Sequence, residues 1–275
     1  MRGIPAAVAA ATGVADAAAC FARDGYLHLP AFFTESEVAG WRAEADRLED
    51  LGRAQRPPEA FFERSGRALR SLFDVPKFSP IFASLANDRR LLEIVHALLG
   101  EQPYLHQTRL NYKPAYHGRG FYWHSDFETW HAEDGMPAMH AVSMSIALTP
   151  NTALNGTLML VPGSHRTFVP CVGATPDDHY RASLVAQEIG TPSPAQLDAL
   201  IATGGIEMPT GPAGSVVVFD CNTMHGSFDN LSNVPRINLF FVYNARSNAL
   251  RAPFAAPRPR PTFIAARPAE IGVAA

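Results

Sequence analysis

From Pro103 onward the apolar residues of this chain recur at every second position, and a segment with that period cannot build a helical bundle. The alternation places strands at 104–113, 119–126, 141–149, 157–161, 214–220 and 236–243, separated by Asp-Gly, Asn-Gly and Pro-Gly turns. Ahead of Pro103 the pattern is helical. Thr34 followed by Glu37 is a capping box, and Val38, Trp41, Ala45 and Leu48 keep helical spacing to about Asp50. A second helix runs from about Asp88 to Leu99 and stops at Gly100. Residues 21–30 read as a helix end, an Asp-Gly turn and a short strand, and 53–58 as a polar break. One further helix is expected near 193–202, inside an otherwise irregular stretch, 175–206, that is the candidate lid. The expected architecture is mainly β with a helical layer: N-terminal helices packed on a double-stranded β-helix, a jelly-roll or cupin-like core. It forms a single domain over 1–275, with a flexible N-terminus at 1–19 and a Pro-, Ala- and Arg-rich surface tail at 250–275.

Composition narrows the function. Hydrophobic residues make up 47% and charged residues 18%, enough to fill a sizeable core. A net charge of −3 and a pI near 6.4 give no basic stripe for nucleic acid and no polybasic segment for an anionic membrane. No apolar run approaches the ~20 residues that span a bilayer. The small residues of 6–11 lack the basic flank and strong hydrophobicity of a targeting peptide. Cys20, Cys171 and Cys221 are too scattered for a disulfide framework and predict reduced thiols in the cytoplasm.

The second predicted strand contains His124-Ser125-Asp126. Residues i and i+2 of a strand share a face, so the imidazole and carboxylate stand together. They are two of the three ligands of the two-histidine, one-carboxylate arrangement associated with non-haem Fe(II) oxygenases. Alone, a His-x-Asp pair occurs by chance on many surface strands, and His225 alone suits a satisfied turn histidine. His225 at the end of an apolar strand and Arg236 across the following turn make the combination far more specific than its parts. The ketoacid end of 2-oxoglutarate chelates iron while its far carboxylate needs a charged fork, which Arg236 supplies and Ser227 can supplement. His28, His96, His106, His117, His131, His140, His165 and His179 lack such partners and read as surface or core-filling residues.

Strand parity adds walls to this site. Strand 104–113 puts Gln107, Arg109, Asn111 and Lys113 on one face, which in isolation also suits a solvated sheet. Strand 236–243 puts Arg236, Asn238 and Phe240 opposite Ile237, Leu239, Phe241 and Tyr243, so both of its faces are expected to be buried. A buried Arg and Asn need partners, and an anionic ligand is one. Ser143, Ser145 and Ala147 share a face of strand 141–149, leaving either room for a cavity or a surface for close helix contact.

The segments 106–113, 121–137 (FYWHSDFETWHAEDGMP), 158–165 (LMLVPGSH) and 211–227 resemble the phytanoyl-CoA dioxygenase-like superfamily, and within it the ectoine hydroxylases, over roughly residues 20–265. The resemblance implies Fe(II) held by His124, Asp126 and His225, and 2-oxoglutarate held by Lys113, Ser227 and Arg236 with Asn111 nearby. It places Gln107, Trp130, Phe219, Asn238 and Phe240 around ectoine, with Arg109 and Thr129 as weaker candidates. Trp130, Phe219 and Phe240 would cup the amidinium cation through their ring faces, at ~0.5–2 kcal/mol each. The implied reaction uses O2 and yields 5-hydroxyectoine, succinate and CO2; the implied assembly is a homodimer. Asp126 favours hydroxylation, because related halogenases lack that carboxylate. A shorter N-terminus, Ala138 and His140 in place of basic residues, and an unusual turn at 228–235 depart from the family pattern without touching an expected ligand. Two alternatives stay open: a hydroxylase of another small molecule, such as proline or an acyl thioester, and a non-catalytic β-barrel metal or osmolyte binder.

Overall fold

The computed structural model describes residues 17–171, 175–185 and 190–268. Among the described residues ten strands form two antiparallel sheets: β1 (Tyr26–Leu29), β2 (Ala60–Phe62), β3 (Leu69–Phe73), β4 (Pro103–Lys113), β5 (Phe121–His124), β6 (Ala141–Ala147), β7 (Leu158–Leu160), β8 (Val216–Asp220), β9 (His225–Ser227) and β10 (Arg236–Ala245). The larger sheet has the order β1-β8-β6-β10-β4-β3-β2 and the smaller β5-β9-β7. This is the expected jelly roll with its helical layer.

Parity assigns the faces. Leu110 and Tyr112 of β4, Met144 and Ile146 of β6, Val216 and Val218 of β8, and Leu239 and Phe241 of β10 point outward. There they meet Val38, Ala45 and Leu48 of helix Glu35–Gln55 and Leu91, Ile94 and Val95 of helix Arg89–Leu99. Both helices start as the sequence predicts, on Thr34 with its reciprocal Glu37 bond and on Asp88. The first continues past Asp50 to Gln55, and the second ends on Gly100 at φ 71°. The helix expected near 193–202 occupies Pro194–Gly204, capped by Ser193 and Gln196. On the inner face Val217, Phe219 and Phe240 meet Leu158 and Leu160 of the small sheet. All ten residues of β10 are buried, as a strand covered on both sides must be.

Four expectations need correction. The predicted strand 119–126 stops at His124, and Asp126 opens a short helix, Asp126–Thr129, that widens into a π-helix, Trp130–Asp134. Strands β2, β3 and β9 are additional, and His225 begins β9 rather than ending β8. The pairing of β10 with β4 slips between Val242 and Tyr243, so His106 is an extra residue in a bulge and the alternation resets there. The surface tail expected at 250–275 needs refinement: residues 251–268 run largely exposed or half-buried along the surface but are pinned to the core, and 269–275 lie outside the described residues. Ala255 and Ala256 donate to the Ala132 carbonyl, Arg260 forks onto Asp134 at 2.8 and 2.5 Å, and Ile264 is fully buried. Gly135 makes that approach possible: at φ +81°, a Cβ there would lie 2.3 Å from the Arg251 carbonyl oxygen. Of the expected N-terminal segment, 1–16 lie outside the described residues and 17–19 are helical; the candidate lid is described except at 186–189.

Candidate active site

Pairing of β5 with β9 sets His124 opposite His225, and their rings stand 4.3 Å apart between centroids. Ser125 carries the chain on in extended form, and the Phe127 amide, bonded to the Cys221 carbonyl at 2.8 Å, turns Asp126 back toward both imidazoles. Asp126 Oδ1 lies 3.8 Å from His124 Nε2 and 3.9 Å from His225 Nε2. One donor atom from each residue falls within 4.8 Å of the others, and among the described residues no other group of His, Cys, Asp or Glu converges in this way.

The surroundings fix which atoms are offered. His124 Nδ1 lies 2.6 Å from the Tyr122 carbonyl and His225 Nδ1 2.9 Å from that of Thr223. Carbonyls only accept, so both Nδ1 atoms carry the proton and both Nε2 lone pairs face Asp126. The Ser143 hydroxyl donates to Asp126 Oδ2 at 3.2 Å, which leaves Oδ1 toward the shared point. Small Ser143 thus faces the interior, as one of the two readings of strand 141–149 required. Burial pushes the His124 imidazole down to about 3 and lowers His225. For Asp126 burial works upward, but His225, Arg109 and His124 outweigh it and hold the carboxyl below its ordinary value. Two neutral imidazoles and one carboxylate on one side of a point suit Fe(II) with open positions opposite.

Those positions face a cavity lined by Arg109, Asn111, Phe121, Leu158, Ser227, Arg236 and Phe240 as well as both histidines. The β10–β4 register places Arg236 beside Lys113, Asn238 beside Asn111 and Phe240 beside Arg109, so the polar face of β4 looks inward. Arg236 donates to Asn111 Oδ1 at 2.6 Å, while its Nε is buried without a partner. Burial, then the charges of Arg70 and Arg109, push its guanidinium down to about 9. Arg109 Nε is likewise buried and unpartnered, and its guanidinium lies over the Phe240 ring at 4.7 Å. Lys113 donates to Ser227 Oγ at 2.8 Å and to the Phe228 carbonyl; burial, Arg236 and Arg70 drive it well below the usual lysine range. Buried cations with open donors fit a carboxylate ligand.

The other expected substrate residues are distributed unevenly. Phe240 lines the cavity, and Phe219 backs the His225 ring at 5.0 Å. Asn238 Nδ2 donates to Ser145 Oγ at 2.9 Å, leaving Oδ1 buried and unpartnered. Gln107 donates to the Ile264 carbonyl at 2.8 Å. Trp130 belongs to a neighbouring apolar cluster with Phe127, Met136 and Cys221, edge-on to His106 at 5.1 Å, and Thr129 is half-buried; neither lines this cavity.

Of the two readings the sequence allows for His106, surface or core-filling, the bulge selects the second by turning it inward. It is fully buried, neither ring nitrogen has a hydrogen bond, and Nε2 lies 3.9 Å from Asp134 Oδ2. Burial lowers its pKa from 6.5 to about 4, against the pull of Asp134. The folded value is depressed, so this group costs nothing above pH 6.5. As pH falls from 6.5 toward 4 the unfolded chain gains a proton that the folded chain refuses, a loss of about 3 kcal/mol. His106→Asn is expected to flatten stability over that window, measured by urea unfolding at a series of pH values. Parallel profiles for the two proteins would contradict it.

The chain is similar to known proteins over most of its length. The family model described as phytanoyl-CoA dioxygenase (PhyH) matches residues 21–238. The ectoine dioxygenase of Halomonas elongata is 53% identical over 250 residues, spanning 91% of this chain and 75% of that protein. A crystal structure of EctD from S. alaskensis with 2-oxoglutarate and 5-hydroxyectoine superposes with a TM-score of 0.82 at 45% identity, covering 92% of this chain and 83% of that one. The same enzyme with bound Fe gives 0.81 at 46%, covering 91% and 83%.

Proposed function

This chain belongs to the phytanoyl-CoA dioxygenase family, and on that premise we propose that it is an Fe(II)- and 2-oxoglutarate-dependent dioxygenase that hydroxylates ectoine to 5-hydroxyectoine, releasing succinate and CO2. The observation that carries the reading is the opening of two features, the His124–Asp126–His225 convergence and the unpartnered Arg236 donor, onto one cavity.

His124, Asp126 and His225 hold the iron. Arg236 takes the far carboxylate of 2-oxoglutarate, with Ser227 and Asn111 beside it and Lys113 positioning Ser227. Arg109, a weaker substrate candidate from sequence, lies close enough to Asp126 for the two charges to interact, which suits it to a carboxylate at the metal end. Bound iron and 2-oxoglutarate supply the oxidising power that puts one atom of O2 into a C–H bond and the other into succinate. The chain supplies orientation and dryness. Phe219, Phe240 and Leu158 exclude water from the target bond. Asn238 Oδ1 is a buried acceptor in want of a donor, which an N–H of the ectoine amidinium provides. Gln107, Thr129, Trp130, Phe219 and Phe240 are the residues read as contacting ectoine, and of these Phe240 alone lines the cavity, with Arg109 over its ring. Asp126 occupies the position that a halide would need, which favours hydroxylation.

The same proposal includes a single catalytic domain and a homodimer in the cytoplasm. Free thiols at Cys20, Cys171 and Cys221 support that compartment, and no helix among the described residues is long and apolar enough to cross a membrane. Anaerobic incubation with Fe(II), 2-oxoglutarate and ectoine, followed by O2, is expected to yield ectoine plus one oxygen and equal succinate by mass spectrometry. Oxygen added to proline but not to ectoine would overturn the substrate. Iron retained with no succinate from any substrate would point to the binder instead.

A further inference from the structure

Arg70 lies on β3, outside every motif that the sequence singles out, and is fully buried. Its guanidinium holds three segments at once. Nη1 donates to Glu63 Oε1 and to the Arg119 carbonyl, both at 3.0 Å; Nη2 donates to the Gly120 carbonyl at 2.9 Å; Nε donates to the Leu184 carbonyl at 3.1 Å. Its plane covers the Phe121 ring at 3.8 Å. Phe121 is a wall of the cavity, and its amide donates to Ser227 Oγ at 3.2 Å. The chain that Arg70 grips is therefore the chain that sets Ser227 opposite Arg236. On its other side Arg70 grips the end of helix Tyr180–Ser183, in the stretch expected to act as a lid.

A cation with no role beyond stability has little reason to sit here. Burial works against its charge, and Arg70 is the first charge to disfavour the Arg236 guanidinium. Among the described residues Glu63 is its one acidic hydrogen-bond partner. Three carbonyls from two separated segments, 119–120 and Leu184, together with a carboxylate from a third are what a rigid five-donor fork can collect and a lysine cannot.

We propose that Arg70 is a positioning residue for 2-oxoglutarate: it fixes the 119–121 wall of the carboxylate site and ties the 180–185 segment to that wall. This rests on the functional reading above. Binding of 2-oxoglutarate then stiffens the wall and the 180–185 segment together, because one side chain joins them.

Two measurements test it on the full chain. Anaerobic calorimetric titration of 2-oxoglutarate into the Fe(II)-loaded protein compares the parent with Arg70→Lys, which keeps the charge and loses the fork. The expected result is at least ~10-fold weaker 2-oxoglutarate binding with the KM for ectoine within twofold. Unchanged 2-oxoglutarate binding, or equal weakening toward both ligands, overturns the proposal. Hydrogen exchange on the unaltered protein needs no variant. Added 2-oxoglutarate should protect the amides of 119–121 and 180–185 in parallel, and protection at 225–227 without 180–185 overturns the tie. A parent protein that binds no 2-oxoglutarate overturns the functional reading as well, whereas a parent that binds it beside an unaffected Arg70→Lys removes the role of Arg70 alone.

Discussion

Asp126→Ala is expected to fold, to lose Fe(II), and to hydroxylate ectoine at least roughly 10³-fold more slowly than the parent. The carboxylate is the only anionic donor of the three and the one atom to which both imidazoles point, at 3.8 and 3.9 Å. Without it two neutral nitrogens remain, a set that binds a divalent ion weakly and leaves its charge uncompensated in a buried site. The fold does not depend on it. The turn into helix Asp126–Thr129 is held by the Phe127 amide on the Cys221 carbonyl, and Ser143 loses only an acceptor. Iron content after reconstitution and desalting, read beside thermal unfolding, separates loss of metal from loss of structure. Full iron retention with normal succinate release would remove Asp126 from the centre.

The sequence revealed this site and not its supports, and the reasons are physical. Period-two alternation in β4 and β10 divides inner from outer residues, so the inward faces of Arg109, Asn111, Arg236 and Asn238 were legible. The His-x-Asp pair was legible although its strand premise failed at Asp126, because Ser125 stays extended and still brings both side chains to one side. Strand β9, three residues long, carries no readable period. Strand β3 is buried at all five positions and so shows no alternation that would single out Arg70. The bulge at His106 resets parity in a way no local pattern announces. The Asp134–Arg260 fork joins residues far apart in the chain, and a run of Pro, Ala and Arg looks like a tail until the acidic partner is located in space. Local periodicity exposes faces; it does not expose which distant charge comes to meet them.

Arg236→Met is expected to weaken 2-oxoglutarate binding by roughly 10²–10³-fold while costing the ligand-free protein little or no stability. The first effect follows from removing one member of a buried, hydrogen-bonded charge pair, worth about 2–5 kcal/mol. The second follows from the state of Arg236 without a ligand. Its Nε has no partner, and its side chain bonds an amide oxygen rather than a carboxylate. Replacing a buried ion pair by apolar residues of similar volume is often neutral or stabilising by about 1–4 kcal/mol, and Arg236, which bonds no carboxylate among the described residues, leaves no charged partner stranded when it is replaced. Against this stands the Asn111 oxygen, left without its donor at about 1–3 kcal/mol, although Asn111 Nδ2 keeps the Ser71 hydroxyl at 3.2 Å. The two nearly cancel, so the melting temperature should stay close to that of the parent as affinity collapses. A purely structural arginine gives the reverse pattern, a large fall in stability with 2-oxoglutarate binding retained. Titration of 2-oxoglutarate and thermal unfolding on the same preparation distinguish the two. Arg236→Lys sharpens the comparison: it keeps the charge but offers no fork, so its affinity should fall between the parent and Arg236→Met.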